Sequence, residues 1–214
     1  MQPFRFDADA HAYYLGSERI PGVTAVLGQV VDFSFVRDEV LDRKRAIGSA
    51  LHEAIEIDLD GELDEESIDP SVAPYFAGWR KFQDEHGAFL IQAKERPIYS
   101  RTYRYGCTPD LWGNFLAGGE AVPFVCEIKS TATVHPAVGL QTAAQLRCIA
   151  ETAYPDAIED RKREAYMRRA RRFVLQLLPT GKYSLRELTA RDDFATFLAL
   201  LTAYRWKQRH NIAL

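Results

Sequence analysis

At Gly87 the hydrophobic rhythm of the chain changes, and that change limits the folds open to it. Before it, apolar residues recur at helical spacing: Leu41, Ala46, Leu51 and Ile55 within residues 36–59, then Val72, Tyr75, Phe76, Trp79 and Phe82 as one stripe over 70–87. After it, side chains alternate at a spacing of two. This predicts one or two strands over 88–104 and two more in GCTPDLWGNF and VPFVCEIKS, joined by a turn at Gly118-Gly119. A helix is expected from about 137 to 150, followed by a basic segment, a hairpin (FVLQLLP-TGK-YSLREL) and a last helix over about 191–210. The opening, FRFDADAHAYYLGSERIPGVTAVLGQV, reads as a strand, a turn around Gly16, a second short strand and a helix entered at Thr24. Helices, a contiguous set of strands and helices again make an α/β protein. The 214 residues suffice for one sizeable core, hence a single domain over 1–214, with elaborations at about 1–35 and 172–210.

One predicted strand carries charge where a buried strand should not. In FVCEIKSTAT (124–133), Phe124, Cys126 and Ile128 face one way while Val125, Glu127 and Lys129 face the other. Alone, the pair reads as an exposed strand face with a neighbouring ion pair of little value. Asp110 alters that reading. It lies near the start of the preceding strand, and two adjacent antiparallel strands can bring its carboxylate to that of Glu127. Paired carboxylates repel unless a cation sits between them, and a divalent ion with hard oxygen ligands is the common solution. Lys129 then points into the same site, where it can orient water or offset charge on a phosphate.

Charge is unevenly spread on a chain whose formal net charge is −3. Residues 56–69 hold eight acidic residues and no basic one, read as a helix end running into a solvated loop. Residues 161–172 (RKREAYMRRARR) hold seven basic residues and one acid. That run is the only dense positive track, and Arg168, Arg169 and Arg172 are its candidate phosphate contacts, with a solvated face as the alternative. No apolar run approaches the roughly 18 residues of a membrane span, and the N-terminal sequence lacks signal-peptide features, so an intracellular (cytoplasmic) protein without a membrane partner is expected. Cys107, Cys126 and Cys148 have no metal-like spacing and are expected as free thiols.

TPD (108–110) followed by EIK (127–129) resembles the paired motif of the PD-(D/E)XK nuclease superfamily. Three further features resemble its RecB-like and phage-exonuclease branch. GSALHEAIE (48–56) matches a G-x-x-x-H helix, LQTAAQL (140–146) matches a Q-x-x-x-Y helix with Gln145 in place of the tyrosine, and the RIPGVTAVL opening and LLPTGKYSL hairpin match the frame. The resemblance runs from about Phe4 to His210. It implies a restriction-endonuclease-like core, a central mixed β-sheet flanked by helices. It also implies Mg2+ or Mn2+ bound by His52, Asp110, Glu127 and the Ile128 carbonyl, with Lys129 serving the attacking water and Gln141 positioning water, lysine or phosphate. Gly48 would allow close backbone approach, and Glu56, at i+4 from His52, is either a partner for its other ring nitrogen or a solvated side chain. With three cysteines and none after Cys148, the iron-sulfur cluster of some relatives is not expected.

The implied activity is metal-dependent hydrolysis of DNA, as an exonuclease of recombination or repair, with a phage setting, a homo-oligomer and a recombination partner protein among the arrangements the resemblance admits. Two other readings stand beside it: a catalytically silent DNA-binding relative, and an unrelated domain with a structural ion pair at EIK.

Overall fold

A computed structural model describes residues 3–31, 38–87, 89–155 and 159–212. The chain opens with three short strands, β1 (Phe4–Asp7), β2 (Ala12–Leu15) and β3 (Glu18–Ile20), paired in that order as an antiparallel sheet. The sequence reading placed one strand before Gly16; a turn at residues 8–11 divides it, with His11 at φ 43°. A short helix, α1 (Val23–Leu27), leads on to α2 (Asp38–Leu59) and α3 (Ala73–Glu85). Then come β4 (Phe89–Lys94), a small ribbon of β5 (Ile98–Ser100) and β6 (Tyr105–Cys107), and the long pair β7 (Leu111–Ala117) and β8 (Glu120–Lys129). Helices α4 (Ala137–Ala153) and α5 (Asp160–Arg169), the hairpin β9 (Arg171–Leu177) and β10 (Tyr183–Glu187), and α6 (Asp193–Arg209) complete it.

The main sheet has the order β10-β9-β8-β7-β4, with β8 and β9 parallel and the other neighbours antiparallel. A parallel pair needs a crossover, and α4 and α5 supply it. The glycine turn between β7 and β8 lies where expected, with Gly118 at φ 59° and Gly119 at φ 83°, a backbone that side chains resist.

The alternation along β8 accounts for how the layers stack. Phe124, Cys126 and Ile128 pack with Leu51, Ile55, Phe76 and Trp79 of α2 and α3. Val125, on the opposite face, packs with α1, α4 and α6 through residues such as Val26, Ala144 and Phe197. Each large side chain so buried contributes roughly 1.5–3 kcal/mol. The Glu127 face is therefore also interior, since α4 covers it, and Glu127 is only 3% exposed. Burying a carboxylate that deeply demands partners.

Two local features aim side chains at that carboxylate. The β4–β7 register shifts between Ile91 and Ala93, a bulge that bends the end of β4. The following Glu95 takes φ 42°, and its N–H donates to the Asp110 carbonyl at 3.2 Å. Meanwhile α2 is tied to α3, since Trp79 Nε1 donates to Asp58 at 2.8 Å and Arg80 pairs with it at 2.5 Å. Part of the acidic stretch is thus structural, not solvated. All three cysteines are free and buried. Among the described residues no helix is long and apolar enough to cross a membrane.

Candidate metal centre

Asp110 sits immediately before β7, beside the C-terminal end of β8. Its Oδ2 accepts from the Ile128 N–H at 2.6 Å, which fixes the carboxylate without using up its other oxygen. His52, on α2, lies opposite, with Nδ1 at 2.8 Å from Glu95 Oε1 and 3.7 Å from Asp110 Oδ1. One donor atom each from His52, Glu95 and Asp110 falls within 4.8 Å of the others. An imidazole with two carboxylates is a donor set that could hold a metal ion.

Glu127 stands next to this trio and is held from three sides. Its Oε1 accepts from Lys129 Nζ at 2.6 Å and from Gln141 Nε2 at 2.5 Å, while Oε2 accepts from Gln145 Nε2 at 2.9 Å. The polar face of α4 therefore points inward, one turn separating the two glutamines that grip one carboxylate. Gln145 is 1% exposed, and its Oε1 has no hydrogen-bond partner among the described residues. Glu127, Gln141 and Gln145, together with the trio and with His11, Tyr13 and Thr24, line a cavity of about 170 Å3. An apolar cleft of about 400 Å3 that borders Lys129 shares Thr24 and Gln141 with it.

Three carboxylates against two cations leave the centre short of positive charge. Burial pushes the Asp110 carboxyl up, and neighbouring Glu127 adds to the push against the opposing pull of His52 and Lys129, so it titrates at about 7. Burial would lower the His52 imidazole, but Asp110, Glu95 and Glu127 outweigh it and raise it to about 9. Lys129 shows the same contest, with burial outweighed by Glu127 and Asp110, and its pKa is raised.

A pH dependence follows. Asp110 rises from an ordinary 3.8 to about 7 and His52 from 6.5 to about 9. Each group lends stability that is fully present below its ordinary value and lost as pH rises through its folded value. With a chelator present, the melting temperature should therefore fall between about pH 4 and 9 on these two groups' account, and a divalent ion that replaces their protons should restore more at pH 8 than at pH 5. Thermal unfolding with and without manganese at the two pH values measures this. Equal gains at both would contradict it.

Several expected site residues take other roles. Glu95 was not singled out in the sequence, where a glutamate between Lys94 and Arg96 reads as surface charge, yet it is Glu95, not Glu56, that lies 2.8 Å from His52 Nδ1 and joins His52 and Asp110 in the trio. The Glu56 side chain borders the open rim near His52, while its backbone carbonyl accepts from Lys94 Nζ. Helical i+4 spacing makes two residues neighbours, but the imidazole turns across the cleft instead. Gly48 was expected to permit close approach; a Cβ there would meet only Ser130 Oγ at 3.7 Å, an ordinary contact. Ile128 buries its side chain and gives its N–H to Asp110.

Arg172 departs furthest from the expected set of phosphate contacts. Its side chain is 11% exposed and donates to Asp193 at 2.7 Å, the Gly139 carbonyl at 2.7 Å and the Ala190 carbonyl at 2.6 Å, joining α4, β9 and α6. Arg168 and Arg169 are exposed, paired loosely with Glu164 at 3.5 Å and Glu120 at 3.7 Å. Arg169 reaches the start of β8, and at about 3.3 Å per residue that is on the order of 20 Å from Glu127. Arg172→Ala should therefore destabilise the fold by roughly 3 kcal/mol or more, by stranding Asp193 and two carbonyls. Arg168→Ala and Arg169→Ala should stay within about 0.5 kcal/mol of the parent protein. Urea unfolding of the three variants compares them, and an Arg172→Ala protein as stable as the other two would refute the clamp.

Neither protein-family profiles nor curated proteins give a match to this chain. What it does must be argued from the chemistry of this centre.

Proposed function

We propose that the chain is a divalent-metal-dependent deoxyribonuclease with a restriction-endonuclease-like core, hydrolysing phosphodiester bonds from DNA ends. The observation that carries this reading is the convergence of His52, Glu95 and Asp110 beside a Glu127 already paired to Lys129. When bound, Mg2+ or Mn2+ would supply a water of lowered pKa and neutralise phosphate charge.

The chain's own residues divide the remaining work. His52, Glu95 and Asp110 hold the ion, Glu127 stands beside them as a carboxylate bonded to Lys129, Gln141 and Gln145, and the Ile128 carbonyl is kept as a candidate ligand. Gln141 and Gln145 fix Glu127, which in turn orients Lys129. The ammonium then faces the cleft as a cation that orients the attacking water and offsets charge on the phosphoryl oxygens. Arg168 and Arg169 remain the exposed cations for the DNA backbone beyond the centre. A catalytically silent relative would have no use for so complete a set.

Incubation of the protein with linear duplex, circular duplex and single-stranded DNA, with manganese or with chelator, tests the reading. Manganese-dependent loss of linear DNA with circles spared is expected. No cleavage of any substrate would overturn it.

A further inference from the structure

The residues that hold Glu127 serve one side of the proposed reaction. Lys129, Gln141 and Gln145 all bond that one carboxylate. All three are committed to that carboxylate, and the departing sugar oxygen also needs a proton. We propose that His11 donates it, as the general acid of the hydrolysis; this rests on the nuclease reading above.

Backbone geometry is the first support. Among the described residues four non-glycine residues have positive φ, and two of them, His11 at 43° and Glu95 at 42°, line the same small cavity. Glu95 uses its conformation to deliver a carboxylate. His11 occupies a tight-turn position where glycine would be free of strain, and residues held in such conformations cluster where a side chain must be aimed.

The second support is how the ring is mounted. Tyr13 is wedged between two glycines: a Cβ on Gly106 would lie 2.3 Å from its Cγ, and one on Gly22 3.0 Å from its Cε2. Its hydroxyl bonds Thr108 Oγ1 at 2.9 Å, two residues before Asp110. The His11 Nε2 lies 3.5 Å from that hydroxyl, and Phe6 meets the imidazole edge-on with centroids 5.3 Å apart. The imidazole, although exposed, is thus mounted on the wall of the cavity that His52, Glu95, Asp110 and Glu127 also line, while Lys129 borders the adjoining cleft. A general acid must stand within reach of the leaving oxygen, and the wall of this cavity is where such a donor has to be mounted.

In the proposed step the water oxygen bonds to phosphorus and the bond from phosphorus to the sugar oxygen breaks. The proton on His11 Nε2 moves to that oxygen, the water's surplus proton leaves to solvent, and the imidazole is reprotonated from solvent.

A substrate whose leaving bridging oxygen is replaced by sulfur tests this, because a thiolate departs without a proton. The variants are His11→Gly, which removes the backbone strain, and His11→Asn, which tolerates the same φ but has no proton to transfer. Both should melt at or above the parent temperature. Both should cut the oxygen substrate about a hundredfold or more slowly in manganese, yet cut the sulfur substrate at close to the parent rate. Equal losses on the two substrates, or no loss on either, would overturn the role of His11. A parent protein that cuts neither would instead remove the nuclease reading itself.

Discussion

Asp110→Asn should abolish cleavage, by about a thousandfold or more, without weakening the fold. Asparagine keeps an oxygen to accept from the Ile128 N–H but removes a buried negative charge that stands beside Glu127 and Glu95. In the absence of metal the variant should melt at or above the parent temperature, because the repulsion that raises the Asp110 pKa is gone. Sites built for ligands commonly cost stability, and this is where that cost should show. Melting curves in chelator and cleavage rates in manganese give the two readings. A variant both inactive and much less stable would make Asp110 a structural residue whose loss of activity is indirect.

The second large effect concerns the residue hidden in the sequence. Glu95→Ala should weaken manganese binding by about tenfold to a hundredfold and lower cleavage at limiting metal at least in proportion. Glu56→Ala, four residues from His52 on the same helix, should change neither by more than about twofold. Manganese titrations of cleavage rate separate the two. The reverse ranking would restore the helical neighbour as the partner of His52 and displace Glu95.

The contrast between those two glutamates shows what a sequence can convey about this protein. Alternation along β8 is local, so Phe124, Cys126 and Ile128 could be assigned to one face and Glu127 and Lys129 to the other. Likewise the spacing of Gln141 and Gln145 put both on one face of α4. What that face meets depends on which layer the helix covers, so only the resemblance pointed Gln141 at the site, and nothing in the spacing named Glu127 as the partner of either glutamine. Glu95 depends on more still: a bulge in β4, a positive φ and the pairing of β4 with β7, none of which leaves a mark in the string KERP. His11 was hidden for the same reason, since a turn at residues 8–11 divides a segment that reads as one strand. Arg172 erred in the other direction. A run of arginines looks like one surface, but its last member begins β9 and folds its guanidinium inward onto Asp193.

The central claim is that His52, Glu95 and Asp110 together bind a divalent ion, and the bound-manganese signal by electron paramagnetic resonance tests it most directly. Manganese titrated into the parent protein, then into Asp110→Asn and Glu95→Ala proteins shown to be folded, should reveal saturable binding in the first and its loss or marked weakening in both others. No saturable binding in the parent protein, with or without a DNA oligonucleotide present, would contradict the account.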